Sequence, residues 1–173
     1  MIEISDEQEL RPDLAESLVQ KAEQVLGLLG LSHATVSLLL CDDPAIQALN
    51  AEWRQKDTPT DVLSFPMLDE ALFPYIEGEE PWPKEFQAQD DDYPLLLGDI
   101  VISVETCIRQ AQEWEHTELD EALRLWTHGL LHLCGYDHEE PEDAVLMRSR
   151  EDGLLQEIVT AHTTPLTTLH EDR

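Results

Sequence analysis

Three histidines lie close together in the last third of the sequence, within the segment HGLLHLCGYDH. His128 and His132 are four residues apart, so on a helix their imidazoles project from one face and can bind a single ion together. Gly135 tolerates the positive φ at which many helices end, so the chain can turn back and bring His138 to the same point. Three imidazole ligands that leave a fourth position to water are typical of catalytic zinc sites. The spacing therefore predicts one Zn²⁺ ion bound by His128, His132 and His138.

The residues beside the histidines limit the chemistry of such a site. Gly129 stands where the metalloprotease motif HExxH carries its glutamate base, so peptide hydrolysis is disfavoured. A glycine inside a helix costs about 1 kcal/mol relative to alanine, which indicates close packing, space beside the ion, or simple tolerance. Cys134 lies about 200° around the helix from His132 and is predicted to face the core. Asp137 either accepts a hydrogen bond from an imidazole N–H or caps the turn, and both interpretations stay open.

A second segment suited to chemistry runs from residue 50 to residue 66 and contains PTDVLSFP. Arg54 stands out in it because the chain has few basic residues, and a guanidinium is a permanently charged fork that matches phosphate oxygens. Near the metal, Arg54 would bind a phosphodiester and stabilise the charge that develops in the transition state. The alternative is an ordinary surface ion pair with Glu52 or Asp57.

The overall charge is strongly negative, with 10 basic and 38 acidic residues and a formal net charge of −28. Such a surface repels nucleic acid unless positive charge is concentrated locally. Nine of the acids, one lysine and several prolines fall in residues 67–97, which predicts an extended acidic loop there. The three cysteines form no CxxC pair, which indicates reduced thiols, and the acidic N-terminus lacks the pattern of a signal peptide. We therefore expect a cytoplasmic protein.

The rest of the sequence consists of strand and helix patterns that would position these residues. Short β-branched or alternating runs predict strands at residues 1–4, 34–41, 61–65 and 98–103. Apolar residues at helical spacing predict about five helices, and Thr117 with Asp120 resembles a capping box at the start of the helix that carries the histidines. We predict one α+β or α/β domain with about four strands over residues 1–157, the acidic loop inserted at 67–97, and a disordered tail at 158–173.

Three segments together resemble the YbeY family: HGLLHLCGYDH, the segment 50–66 with PTDVLSFP, and LGDIVIS at residues 97–103. Members of that family are single-domain, zinc-dependent bacterial endoribonucleases tied to ribosomal RNA maturation and ribosome quality control. The resemblance covers nearly the whole chain, to about residue 155. It implies a zincin-like α+β fold, one zinc ion bound by the three histidines, and a place for Arg54 in the catalytic cleft.

The leading hypothesis for the function is metal-dependent hydrolysis of phosphodiester bonds in single-stranded RNA, during ribosomal RNA maturation and ribosome quality control. The ion would polarise a phosphoryl oxygen, supply hydroxide, or both. Ribosomal RNA, together with ribosomal or assembly proteins, is the expected partner. The alternative is a ribosome-assembly or RNA-binding factor with a structural zinc and little hydrolytic activity. A metallopeptidase or small-molecule hydrolase is a third class, and Gly129 argues against it.

Overall fold

The computed structural model describes residues 1–6, 10–68 and 95–163, which form a four-stranded sheet and five helices. The strands are β1 (Ile2–Ser5), β2 (Ala34–Cys41), β3 (Val62–Pro66) and β4 (Leu95–Ser103). The helices are α1 (Pro12–Leu28), α2 (Asp43–Arg54), α3 (Val104–Glu113), α4 (Glu118–Leu133) and α5 (Pro141–Thr163). This architecture confirms the predicted α+β class. None of the helices in the described part is both long and apolar enough to span a membrane.

The sheet is mixed, with the strand order β1-β2-β4-β3. β1, β2 and β4 run parallel, whereas β3 pairs antiparallel with β4 and forms one edge of the sheet. Side chains alternate between the two faces along each strand. Leu38 and Ser64 both lie opposite Ile100, and the face that they share packs against α4.

The main core lies between this face of the sheet and helices α1, α4 and α5. Trp126 of α4 is 0% exposed, and ten of the sixteen residues of this helix are buried. Burying one large apolar side chain stabilises a fold by about 1.5–3 kcal/mol, so α4 is firmly anchored. The opposite face of the sheet carries a smaller cluster with α2: Cys41, Ile46, Leu63 and Val101.

Side-chain caps determine where the helices around the site begin. The Asp42 carboxylate accepts a hydrogen bond from the Ala45 N–H at 2.9 Å and so starts α2. At α4 the Thr117 hydroxyl oxygen accepts the Asp120 N–H at 3.1 Å and donates to the Asp120 carboxylate at 2.6 Å. The predicted N-cap of α4 is confirmed, although the acidic side chain bonds to the hydroxyl group rather than to the backbone N–H of a full capping box.

Two predicted boundaries differ from the structure by more than one residue. Residues 95–97 belong to β4 and not to the acidic loop predicted over 67–97, because the first two pair with β2 and Leu97 is fully buried. Residues 158–163, predicted as tail, continue α5, because Ile158 is buried in the main core and extends the apolar side of that helix. Residues 69–94 of the predicted loop and 164–173 of the predicted tail lie outside the described residues.

Helix α4 approaches β3 and β4 very closely at Gly129. A Cβ atom at this position would lie 3.0 Å from Ile100 Cγ2 and 3.1 Å from Ser64 Oγ, which is tighter than side chains normally pack. Of the three interpretations of this glycine, the structure supports close packing. The contact holds the helix that carries the histidines against the edge strand.

Candidate metal centre

Helix α4 and the turn after it bring the three predicted histidines to one point. One ring nitrogen from each of His128, His132 and His138 lies within 4.8 Å of the others, and the Nε2 atoms of the first two are 3.2 Å apart. His128 and His132 are half-buried on α4, while His138 is exposed on the following turn. A group of imidazoles this close could hold a metal ion.

The turn that brings His138 to the group is a Schellman motif at the end of α4. The Gly135 N–H donates to the His132 carbonyl oxygen, and the Tyr136 N–H donates to the Leu131 carbonyl oxygen, both at 3.0 Å. Gly135 has a φ of +90°, which is strained for any residue with a Cβ atom. Its positive φ agrees with the prediction from the sequence, and it lets the chain reverse within three residues of the helix.

The same turn determines which nitrogen of His132 carries the proton. Its Nδ1 lies 2.9 Å from the carbonyl oxygen of Tyr136, and a carbonyl oxygen can only accept, so Nδ1 is the protonated nitrogen. The Nε2 atom then presents a lone pair to the other histidines. Burial, together with the neighbouring His128, lowers the pKa of His132 to about 4. The ring is therefore neutral at neutral pH, as a metal ligand must be.

His128 is held instead by a side chain from another helix. Its Nδ1 lies 3.0 Å from Oε2 of Glu151 on α5, and an ionised carboxylate also only accepts. The Nε2 atom of His128 then also carries a free lone pair, and it lies 3.2 Å from the Nε2 atom of His132. Two lone pairs at this distance repel each other unless a cation lies between them. Tetrahedral zinc at 2.0–2.1 Å from each nitrogen separates two ligands by about 3.3 Å, so the pair fits this ion.

Sequence reasoning did not identify Glu151 as part of the site. It follows His128 by 23 residues, on a separate helix with several other acids, and no spacing in the sequence relates the two. The candidate from the sequence, Asp137, instead accepts the His138 N–H at 2.7 Å through Oδ1. Of the two interpretations of Asp137, the structure supports the turn cap.

Cys134 belongs to the main core and not to the histidine group. Burial raises the pKa of its thiol to about 12, so the sulfur is protonated, whereas a cysteine that binds metal is a thiolate. The orientation predicted from the helical wheel is confirmed. Cys41 and Cys107 are also free and buried, in agreement with the expectation of reduced thiols.

Arg54 is the last residue of α2 and is exposed. Among the residues that the structure describes, its guanidinium has no hydrogen-bond or ion-pair partner. The alternative pairs with Glu52 and Asp57 are not found among the ion pairs of the described residues, and the Asp57 carboxylate accepts a hydrogen bond from Gln47 Nε2 at 2.9 Å. The adjacent Trp53 packs edge-on against Phe65 of β3, with the ring centroids 6.0 Å apart. The end of α2 therefore lies beside the same edge strand that α4 contacts.

Several known proteins are similar to this chain. The family model described as Endoribonuclease YbeY matches residues 2–159. A protein named Endoribonuclease YbeY from Desulforamulus reducens is 44% identical over 156 residues, which cover 90% of this chain and 91% of that protein. One of the same name from Rhodospirillum rubrum is 44% identical over 129 residues, which cover 73% of this chain but only 58% of the relative's length. A solution structure of a Thermotoga maritima protein has a TM-score of 0.60 at 26% identity, with 94% of this chain and 91% of that chain covered.

Proposed function

Because the chain belongs to the YbeY family of endoribonucleases, we propose that it cleaves phosphodiester bonds in RNA with a metal ion held by His128, His132 and His138. The observation that carries the proposal is the convergence of three imidazoles with two Nε2 atoms 3.2 Å apart. The name shared by the relatives favours a nuclease over an assembly factor with a structural zinc. A structural zinc site also needs four protein ligands, whereas the group found among the described residues has three.

We propose zinc as the ion, because three imidazoles with a fourth position left to water are typical of catalytic zinc sites, and we propose one ion, because the three nitrogens lie within 4.8 Å of one another. When bound, zinc would supply Lewis acidity towards a phosphoryl oxygen and would lower the pKa of a coordinated water. The contribution of the chain is to keep His128 and His132 in the tautomer with a free Nε2, directed at one point. Because both rings are held by hydrogen bonds, little reorganisation accompanies binding.

Arg54 is proposed to bind the phosphate of the RNA chain. Its guanidinium is exposed and has no partner among the described residues, so no existing ion pair has to be broken. The exposed Lys56 follows two residues later and adds a second positive charge. In a protein with a net charge of −28, the guanidinium without a partner is a local point of attraction for an anionic chain, although the exposed Glu52 and Asp57 flank it. A guanidinium on the reacting phosphate would also stabilise the charge of the transition state.

The finer proposal concerns the substrate and its setting. We propose single-stranded ribosomal RNA as the substrate, ribosomal or assembly proteins as partners, and the cytoplasm as the location. The chain up to the end of α5 is proposed to act as one catalytic domain, with the acidic segment between β3 and β4 as an insertion. The support is the resemblance of three sequence segments to the YbeY family.

Zinc content and RNA cleavage, measured on the same samples, test the proposal. Purified wild-type protein is expected to retain zinc and to cut a single-stranded precursor of ribosomal RNA, and a chelator should abolish cutting. His132→Ala removes a ligand and is expected to lower both zinc content and cleavage by more than about 100-fold, because even loss of a ligand's hydrogen-bond partner costs 10–100-fold.

The control for that experiment is His33→Ala, because His33 lies between α1 and β2 and is not part of the histidine group. This variant is expected to keep zinc and activity. Arg54→Ala, in the same series, should keep zinc while losing most of its cleavage. Full cleavage by zinc-free His132→Ala protein would overturn the proposal.

A further inference from the structure

A row of charged side chains leads from the protein interior to His128. Glu151 is 12% exposed, and its Oε2 lies 3.0 Å from His128 Nδ1. Its other oxygen, Oε1, lies 3.8 Å from Nη1 of Arg124 on α4. Arg124 in turn donates to the carboxylate of Glu121, which is 0% exposed, from Nη2 at 2.6 Å and from Nε at 3.1 Å. Negative and positive groups therefore alternate from the buried Glu121 outward to the histidine.

Arg124 has little freedom to move within this row. Its guanidinium forms a bidentate pair with Glu121, three residues earlier on the same helix, and lies 4.9 Å from the centroid of the Trp114 ring. Bidentate hydrogen bonds define the plane of the guanidinium as well as its position. Glu151 is therefore placed between a fixed cation and the imidazole of His128.

This placement determines how Glu151 acts on His128. A carboxylate that accepts from Nδ1–H selects the tautomer whose Nε2 is free to bind a metal ion. The hydrogen bond also limits rotation of the imidazole, so Nε2 stays directed at His132. Arg124 attracts the second carboxylate oxygen and thereby limits rotation of the carboxylate itself.

Anchoring of α5 does not depend on Glu151. The helix is packed on the main core through Met147, Leu154 and Ile158, each of which is no more than 2% exposed. These side chains supply several kcal/mol of apolar burial, far more than one hydrogen bond contributes. The next residue on the same helix, Asp152, is exposed and provides a matched acidic control.

We propose that Glu151 is the positioning residue of His128, and that Arg124 with Glu121 holds its carboxylate in place. The inference rests on the proposed metal site. It gives a role to a side chain that touches neither the ion nor the substrate. It also makes the docking of α5 a condition for the full affinity of the site.

Zinc affinity of the full chain, measured by competition with a chromophoric chelator, tests this role. Glu151→Ala is expected to weaken zinc binding 10–100-fold, as loss of such hydrogen-bond partners typically does. Glu151→Gln keeps an oxygen that can accept a hydrogen bond from Nδ1–H, so this variant is expected to lose less zinc affinity than Glu151→Ala. Asp152→Ala is expected to bind zinc as wild type does.

A second measurement separates positioning from folding. Long-range proton–nitrogen NMR spectra of the metal-free protein, recorded above the histidine pKa range, report which nitrogen of His128 carries the proton. Wild type is expected to show Nδ1 protonation, and Glu151→Ala a mixture of tautomers, with the thermal midpoint little changed. Wild-type affinity or an unchanged tautomer in Glu151→Ala, or an equal loss in Asp152→Ala, would overturn the inference. Absence of zinc binding by the wild-type protein would overturn the proposed site as well.

Discussion

His128 and His132 are one helical turn apart, yet two different regions of the molecule hold their Nδ1 atoms. His132 donates to the carbonyl oxygen of Tyr136, four residues later, in the turn made by Gly135. His128 bonds to Glu151, 23 residues later on another helix. The first partner is in place as soon as α4 ends, whereas the second is in place only when α5 has docked. One half of the site is therefore local and the other half depends on the complete fold.

The two partners also differ in chemistry. A backbone carbonyl is neutral and is present whatever side chain stands at position 136, so a substitution of Tyr136 itself leaves the acceptor of the local half in place. A carboxylate is charged, and hydrogen bonds to charged groups are roughly twice as strong as neutral ones. It also raises the basicity of the imidazole that it holds. The tertiary half therefore offers the greater influence on metal affinity and is the easier half to break.

The largest effect on stability is expected from a substitution of Arg124, which supports Glu151 in the tertiary half of the site, the pair of His128 and Glu151. Arg124→Met leaves the fully buried carboxylate of Glu121 without its bidentate partner. Breaking a buried pair in this way costs about 3–5 kcal/mol in the free energy of unfolding. Urea denaturation of the metal-free protein, followed by circular dichroism, measures this loss.

The double variant Glu121→Leu with Arg124→Met is the control for that prediction. Removal of both charges, the buried carboxylate and the half-buried guanidinium, is expected to restore most of the stability, because apolar replacements of such pairs are often neutral. Zinc affinity should remain weakened, since the Glu151 carboxylate would still lack the guanidinium of Arg124 beside it. A loss below about 1 kcal/mol in Arg124→Met would mean that the tertiary half does not depend on this pair.

An effect of intermediate size is expected in the pH dependence of stability, through the imidazole of His132 in the local half of the site. Burial lowers its pKa to about 4 in the folded protein, against 6.5 in the unfolded chain. Between these values the unfolded state binds more protons, so the stability contributed by the neutral ring is present above pH 6.5 and is lost as the pH falls towards 4. Metal-free wild type is expected to lose about 2 kcal/mol relative to His132→Gln between neutral pH and about pH 4.5. Urea denaturation at both pH values measures the difference, and parallel pH profiles of the two proteins would contradict it.

The smallest effect is expected from straining the turn of the local half. Gly135→Ala places a Cβ atom at a φ of +90° and is expected to cost about 1–2 kcal/mol in the free energy of unfolding. Zinc affinity should fall as well, because the turn carries both the Tyr136 carbonyl and His138. Gly153→Ala on α5 is the matched control, because a Cβ there would have nothing within 4 Å apart from its chain neighbours and the backbone of its own helix. The free energy of unfolding of this control, measured by thermal or urea denaturation, is expected to rise by up to about 1 kcal/mol. Equal stabilities of Gly135→Ala and wild type would show that the turn does not require glycine.

Sequence reasoning succeeded where a feature depends on residues within one or two helical turns. The positive φ of Gly135, the cap at Thr117 and the inward orientation of Cys134 are all of this kind. It was wrong at residues 95–97 and 158–163, because strand pairing with β2 and burial in the core extend those elements beyond their local patterns. The role of Asp137 could not be decided from the sequence, since both of its interpretations use the same acceptor oxygen.

The sequence by itself determined the spacing of the histidines and the turn that reverses the chain after them, because helical periodicity and the φ of glycine are local properties. Only the tertiary structure decided that Glu151 holds His128, that Arg124 supports Glu151, and that a Cβ atom at Gly129 would press against side chains of β3 and β4. The physical reason is that these contacts join separate elements. Which side chains meet across such a contact is determined by how the helices and the sheet pack, and spacing along the chain carries no information about it.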